Sequence, residues 1–204
     1  MTATARSPIA SAPPVAVVDG WEVSRRRSTA ALRISDCTPY AKVLMKADVN
    51  GAFTSGHETA FGAVRSIEGG AIEVGCDPGG WLTIGGTGSA ASLMARYQAL
   101  ADGASELVTV IDLTHGRALM RLSGVDSVGV LSKLCAIDLS DAVTPNHHAF
   151  RSSVAKLVTD VIRDDLADGI RSYLLHCERS SGQHLFDCII DAGAEFDIDV
   201  DGLA

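Results

Sequence analysis

The feature that most limits how this chain can fold is an order of short strands, glycine turns and a helix that occurs twice. In the first half, predicted strands at 42–46, 71–76 and 81–84 precede a helix that begins after Ser89 and ends at Gly103. Units this short must bury their apolar faces against one another. The pattern therefore predicts a duplicated fold in which strands and helices alternate.

The second half repeats this order with an insertion. Predicted strands and helices lie at 117–122, after Ser123, at 154–162, at 171–177 and from Ser181 to Gly193. Lys42–Lys46 matches Arg117–Arg121 at an offset of 75 residues, whereas Ser89 matches Ser181 at an offset of 92. The growth of this offset places the insertion at about 135–150.

These patterns predict an α+β protein made of two similar small α/β sandwich units, ferredoxin-like in style, with mostly antiparallel sheets. We expect an N-terminal arm at 1–28, a first unit at 29–107 and a second unit at 108–204, with the two units forming one compact domain. Acidic residues alternate with apolar ones over 195–201, which predicts a final edge strand.

Composition excludes several classes of function. The 204 residues carry 17 Lys and Arg against 25 Asp and Glu, and the net charge of -8 disfavours nucleic acid as a partner. No apolar run approaches the roughly 18 residues that span a membrane, so we expect no membrane association. The five cysteines form no C-x-x-C pair, which favours a reducing compartment and a cytoplasmic location.

The arm is rich in Ala, Ser, Thr and Pro, so we expect it to be flexible in isolation. Trp21 and the run Arg25, Arg26 and Arg27 allow two interpretations. One is a solvated basic turn. The other is a partner interface, in which Trp21 enters an apolar pocket and the arginines face carboxylates.

Two groups of residues fall in predicted loops. Gly86–Ala91 fits G-x-G-x-x-A, but two strands and a turn precede it, so a glycine turn before a helix is favoured over a nucleotide site. His147 and His148 lie in the insertion and lack the spacing of a helical metal pair, so we interpret them as a loop or a partner interface.

One face of the last predicted helix is polar. His184, Asp187, Cys188 and Asp191 recur at helical spacing, opposite an apolar face. Such residues can bind zinc, but a polar outer face gives the same pattern. We therefore favour an exposed or interface surface over a metal site.

The most distinctive stretch of the sequence runs from Val110 to Asp126. It reads VIDLTHGRALMRLSGVD, and VLSKLCAIDL follows at 130–139. Both stretches resemble segments shared by aminomethyltransferases and the gamma subunit of heterotetrameric sarcosine oxidase, and the hairpin at 72–84 resembles the same subunit. The similarity covers residues 68–195. The short chain favours the gamma subunit, since an aminomethyltransferase is nearly twice as long.

This resemblance implies an aminomethyltransferase-like, folate-binding fold and a place in a complex. Complexes of this family oxidatively demethylate sarcosine or a related N-methyl amino acid and transfer the methyl carbon to tetrahydrofolate. Their alpha, beta and delta subunits carry NAD, FAD, FMN, folate and zinc, and the gamma chain is a structural partner of those subunits. The resemblance thus implies that this chain carries no catalytic residue, cofactor or metal itself.

Folate-binding members of the family carry Gly-Gly-x-x-Asp-Asp-Leu before the strand that leads to Tyr173. This chain has Ala155-Lys156-Leu157-Val158-Thr159-Asp160-Val161 there, without the glycines and with one of the two acids. Asp164 also precedes an Asp-Leu pair, but it lies in a predicted turn. The alternative to a structural subunit is a stand-alone folate-binding protein or folate-dependent one-carbon transferase that uses Asp160 or Asp164.

Overall fold

The computed structural model describes residues 3–203 of the chain. The strands are β1 (Ala5–Arg6), β2 (Val15–Val18), β3 (Trp21–Ser24), β4 (Arg33–Asp36), β5 (Ala41–Lys46), β6 (Val64–Ser66), β7 (Ile72–Asp77), β8 (Gly80–Gly85), β9 (Thr109–Asp112), β10 (Arg117–Ser123), β11 (Ala149–Val154), β12 (Leu157–Arg163), β13 (Ser172–Glu178) and β14 (Asp199–Asp201). The helices are α1 (Ala52–Gly56), α2 (Ala90–Asp102), α3 (Ser127–Leu134) and α4 (Gly182–Gly193).

The strands of the described chain form three sheets. The largest has the order β11-β12-β13-β10-β4-β14, the second has the order β6-β7-β8-β5-β9, and a small sheet has the order β1-β3-β2. Neighbouring strands are antiparallel except for the pairs β4–β14 and β1–β3. The expected α+β class with mostly antiparallel sheets is therefore confirmed.

The two large sheets face each other, with helices on their outer sides. Leu82 and Ile84 of β8 pack with Leu119 of β10 and Leu174 of β13 in one apolar layer between the sheets. Helices α3 and α4 cover the outer face of the six-stranded sheet. Helix α2 covers the outer face of the five-stranded sheet through its buried Leu93 and Tyr97, which lie one turn apart.

Each large sheet contains one strand from the other half of the chain. Strand β4 pairs with β10 in the six-stranded sheet, and β9 pairs with β5 in the five-stranded sheet. The predicted boundary between units at 107/108 is therefore crossed in both directions. This exchange is possible because short linkers at 37–40 and 113–116 join β4 to β5 and β9 to β10, so each linker steps from one sheet to the other.

A buried lysine holds the first of these linkers. Lys42 Nζ donates hydrogen bonds to the carbonyl oxygens of Thr38 and Tyr40, each at 2.7 Å. Burial lowers the pKa of Lys42 to about 8, and nearby Asp36 partly opposes this effect. The ammonium group thus satisfies backbone carbonyls that the linker removes from water.

The N-terminal residues are part of this fold, which corrects the expectation of a flexible arm at 1–28. They form β1, β2 and β3, and Trp21 is only 4% exposed because its indole packs with the apolar layer between the large sheets. The ring also stacks on His115, with ring centroids 4.6 Å apart. Composition alone undervalues a single tryptophan, which buries more apolar area than several small residues. Met1 and Thr2 lie outside the described residues.

The predicted strand at 154–162 is also corrected, because the structure places a hairpin there. Strands β11 and β12 pair across Val154 and Leu157, and the two residues between them have positive φ angles of 49° at Ala155 and 67° at Lys156. Turns of this kind normally contain Gly or Asn, so the sequence carries no turn signal at this point. The final edge strand is shorter than expected, since β14 covers only 199–201.

Candidate functional site

A pocket of about 120 Å³ opens at one end of the space between the two large sheets. It contains Asp160, which is one of the two carboxylates that the sequence singles out. Its charged and polar lining residues are Lys46, Asp77, Arg117, Arg151, Asp160 and His176. The pocket therefore concentrates basic groups in a chain that is acidic as a whole.

Three of these side chains form a row across adjacent strands. The strand register places Asp160 on β12 directly between Arg151 on β11 and His176 on β13. Arg151 Nε donates to Asp160 Oδ1 at 2.7 Å, and His176 Nδ1 lies 2.8 Å from Asp160 Oδ2. Both carboxylate oxygens of Asp160 are thus occupied by groups of its own chain.

The row continues across the pocket to the other sheet. Arg151 Nη1 donates to Asp77 Oδ1 at 3.0 Å, and Lys46 Nζ lies 3.2 Å from Asp77 Oδ2. Asp77 and Lys46 belong to β7 and β5 of the five-stranded sheet. Arg151 therefore links the two sheets through one carboxylate on each.

The electrostatics of the pair fix its protonation. Burial by itself raises the pKa of Asp160, but hydrogen bonds from His176 and Arg151 outweigh it and hold the pKa below its usual range. Burial lowers the pKa of His176, and Asp160 only partly opposes this. An ionised Asp160 accepts but cannot donate, so the neutral His176 carries its proton on Nδ1.

This arrangement leaves His176 Nε2 as a buried atom without a hydrogen-bond partner among the described residues. An aspartate that orients a neutral histidine is also found in general-base sites. Here, however, the free nitrogen has no solvent-exposed surface, and 120 Å³ is well below the roughly 300–1,000 Å³ of pockets for drug-sized ligands. The geometry suits a structural link between strands better than a reaction centre.

Asp164 lies apart from this pocket. Arg121 Nη2 lies 2.6 Å from its Oδ2 atom, and Arg121 Nη1 also donates to Ser172 Oγ at 2.7 Å. The carboxylate lines a different pocket, of about 150 Å³, at the opposite end of β10. The structure therefore does not bring Asp160 and Asp164 together.

The residues predicted to form a partner interface are dispersed. Trp21 is buried within its own chain, whereas Arg25, Arg26 and Arg27 are exposed. Arg26 Nη2 donates to Asp199 Oδ1 at 2.8 Å, and Arg27 Nη1 donates to the carbonyl oxygen of Leu203 at 3.2 Å. Two of the three arginines thus bind the C-terminal segment.

The two histidines of the insertion also contact their own chain. The His147 amide donates to the Arg163 carbonyl oxygen at 3.1 Å, and His148 forms an isolated bridge with Ala63. Both residues therefore tie the loop before β11 to the sheets. Neither lies with the arginines of the N-terminal segment in one of the pockets above.

The polar face of α4 and the glycine turn before α2 make local contacts. His184 Nε2 lies 3.7 Å from Cys188 Sγ, and no group of three or more possible ligands in residues 3–203 is placed to hold a metal ion. Ser89 Oγ donates to the Gly86 carbonyl oxygen at 2.8 Å, and Thr87 contacts Asp19. No helix in the described part of the chain is long and apolar enough to cross a membrane.

A buried cluster that the sequence did not predict surrounds Glu73 on the outer face of β7. The carboxylate accepts hydrogen bonds from Thr59 at 2.6 Å, Tyr97 at 2.8 Å and Arg65 at 3.0 Å, and His57 Nε2 lies 3.1 Å away. Burial raises the pKa of Glu73, but these partners outweigh it and hold the pKa at about 2. The sequence feature that could have revealed this cluster is a glutamate within an apolar strand. All of its hydrogen bonds are made within the chain, and the one from Tyr97 joins β7 to α2.

Comparison with known proteins gives matches of structure only. No protein-family model matches the sequence, and no curated protein matches it. One chain of the heterotetrameric sarcosine oxidase from Corynebacterium sp. U-96, solved in complex with pyrrole 2-carboxylate, aligns with 19% identity and a TM-score of 0.70, over 84% of this chain and 89% of that chain.

A second match is the glycine cleavage system aminomethyltransferase T from Bartonella henselae. It aligns with 15% identity and a TM-score of 0.68, over 92% of this chain and 55% of that chain. This chain thus spans little more than half of the aminomethyltransferase. The expected resemblance is confirmed in structure, and the chain has the fold shared by these two proteins.

Proposed function

We propose that the chain is a non-catalytic, structural gamma-type subunit of a sarcosine-oxidase-type complex. The observation that carries this proposal is the match in length and fold, since the alignment covers 84% of this chain and 89% of a chain of a heterotetrameric sarcosine oxidase. In this proposal, alpha, beta and delta subunits complete the complex. Those subunits bind FAD, FMN, NAD, zinc and tetrahydrofolate, and this chain binds none of them.

The pocket around Asp160 supports a structural role. Its carboxylate is engaged by Arg151 and His176, so a pterin would have to displace one of these partners. Loss of either partner would leave the mostly buried Asp160 carboxylate without one of its hydrogen bonds, at a cost of roughly 1–3 kcal/mol, which opposes folate binding at this position. The complex would then demethylate sarcosine or a related N-methyl amino acid at sites on the other subunits.

The edge of the five-stranded sheet offers a surface for such subunits. Strand β9 is the last strand of that sheet, and its outer backbone groups have no strand partner among the described residues. Leu107 beside it is 84% exposed, and Ile111 on it is 41% exposed. An apolar edge strand of this kind favours association with another chain.

Purification of the tagged full-length chain from its native host tests the proposal. We expect three further subunits to co-purify in fixed proportion, with flavin in the complex and none on the isolated chain. A Leu107→Asp variant should assemble more weakly, while Val49→Asp, a matched change at another exposed apolar residue, should not. A chain that purifies alone, stays monodisperse and carries stoichiometric flavin would contradict the proposal.

The second candidate is a stand-alone folate-binding protein or folate-dependent one-carbon transferase that uses Asp160. It is favoured by the fold shared with an aminomethyltransferase and by the position of Asp160 in a pocket between the sheets. Titration calorimetry with tetrahydrofolate separates the two candidates. A structural subunit should bind no more tightly than about 1 mM, or -4 kcal/mol. Micromolar binding that Asp160→Asn abolishes and Asp187→Asn retains would establish the second candidate.

A further inference from the structure

A cavity of about 340 Å³ lies where β4 and β10 meet at the far end of the six-stranded sheet, away from the Asp160 pocket. Two pairs of directly opposed residues form one of its walls. Arg33 lies opposite Ser123, and Ser35 lies opposite Arg121. Directly opposed residues on antiparallel strands have Cβ atoms about 5 Å apart, so these four polar side chains project together into the cavity.

Arg33 is the unusual member of this wall. Within residues 3–203 it forms no ion pair, and its Nε atom is buried without a hydrogen-bond partner. The residue as a whole is half-buried, and a buried donor atom without a partner normally contacts water or an ion in native proteins. The Arg33 guanidinium can therefore donate hydrogen bonds to an added acceptor.

Three hydroxyl groups line the same cavity. They belong to Ser35, Ser123 and Tyr40, and none of them donates a hydrogen bond to another described residue. Burial raises the pKa of Tyr40, so its hydroxyl keeps its proton and remains a donor. The cavity therefore presents several free donors beside one free cation.

Arg33 differs from the other charged groups of this wall, each of which is engaged within the described chain. Asp164 neutralises Arg121 through their 2.6 Å ion pair. Asp201 is the one carboxylate in the wall, and its Oδ1 atom accepts hydrogen bonds from the amides of Ser28 at 3.0 Å and Gly202 at 3.1 Å. Arg33 has no comparable partner within the described chain, so an added anion can bind its guanidinium without displacing a side chain.

We propose that this cavity binds a small oxyanion, a carboxylate or phosphate group, through Arg33, Ser35 and Ser123. A planar guanidinium with flanking hydroxyls matches the oxygen geometry of both groups. The volume of 340 Å³ limits the ligand to a small molecule, at the lower end of the range for ligand pockets. This proposal is independent of the assembly proposed above.

The test is a titration of the ¹⁵N-labelled full-length chain, followed through the arginine Nε–H resonances. Inorganic phosphate is one probe and acetate is the other, each at constant ionic strength. We expect a saturable shift of the Arg33 resonance with at least one probe in the millimolar range or below. The stronger probe identifies whether a phosphate or a carboxylate is the preferred group.

Three variants make the result specific. Arg33→Gln, followed through the Nε–H resonance of Arg121 in the same cavity, should weaken binding at least tenfold, whereas Arg25→Gln, which removes the same charge from an exposed position, should leave it unchanged. Ser35→Ala combined with Ser123→Ala keeps all charges and should weaken binding about tenfold. Circular dichroism checks that each variant is folded. If Arg33→Gln does not fold, the binding measured for the serine double variant tests the proposal.

Two results would overturn the proposal. One is the lack of a saturable shift with both phosphate and acetate. The other is binding that survives in Arg33→Gln and in the serine double variant, or that falls equally in Arg25→Gln, because binding would then reflect the general charge of the surface.

Discussion

The Asp160–His176 pair links the pH of the solution to the stability of the fold. Burial holds the pKa of His176 below the ordinary value of 6.5, so the unfolded chain binds a proton at a pH where the folded chain does not. Stability is therefore retained above 6.5 and falls as the pH drops below it. The depressed pKa of Asp160 adds stability that is lost only at lower pH, near the ordinary carboxylate range.

Replacement of the histidine tests this link. His176→Asn keeps a donor toward Asp160 but removes the titrating ring, so it should flatten the loss of stability just below pH 6.5. The measurement is urea unfolding at several pH values on both sides of 6.5. His184→Asn, at an exposed position on α4, should keep the pH dependence of the unchanged chain. If His176→Asn loses stability as steeply as that chain, another group is responsible.

The sequence predicted only part of this pair. Asp160 is a candidate because it lies where the family motif has one of its two acids, but His176 is not, since it lies in a leucine-rich strand between Leu175 and Cys177. Their contact depends on the register between β12 and β13, which a turn at 164–171 sets. Arg33 was missed for the same reason, because its opposite residue Ser123 is ninety positions away in the chain.

The sequence of the turn between β11 and β12 does not suit the conformation of that turn. Ala155 and Lys156 both adopt positive φ angles, a conformation that disfavours residues with a Cβ atom. Lys156→Gly should therefore raise the free energy of unfolding by about 0.5–1 kcal/mol, because relief of this strain exceeds the added flexibility of the unfolded chain.

Urea unfolding of matched variants checks the hairpin prediction. Ser153→Gly lies in the same hairpin at an exposed strand position with ordinary φ, so the same kind of change should lower stability there. If both glycine variants lower the free energy of unfolding equally, the turn stores no strain.

Periodic apolar segments were the elements that could be predicted. Strands β5, β7 and β8 and helix α2 match the predicted ranges within one residue at each end, because their buried residues recur at strand or helix spacing. Strand β4 has a single buried apolar residue, Ile34, and was missed. Its position in the other sheet depends on pairing with β10, which local sequence does not encode.

The chain as a whole depends on its N-terminal residues. Trp21 and Val23 of β3 pack with Leu203 and with the apolar layer between the large sheets. Trp21→Ala should therefore lower the free energy of unfolding by about 3–5 kcal/mol, as for other buried tryptophans. Removal of residues 1–28 should expose this layer and prevent stable folding, contrary to the expectation of a flexible arm.

Equilibrium unfolding in urea measures this dependence. Val17→Ala is the matched control, since Val17 lies on β2 of the same small sheet but is 62% exposed, and it should change stability by less than about 0.5 kcal/mol. Equal effects of the two alanine variants would show that the N-terminal sheet is not part of the cooperative core.

The exchange of β4 and β9 between the large sheets bears on the ancestry of the molecule. Neither half of the chain completes its own sheet. The sheet of the second half contains β4 from the first half, and the sheet of the first half contains β9 from the second. Two separate copies of a half-length chain would form the same arrangement if the first strand of each copy paired within the sheet of the other. Such an assembly is a strand-swapped homodimer. Fusion of two copies of the gene would turn that dimer into one polypeptide in which the strand exchange occurs within a single chain.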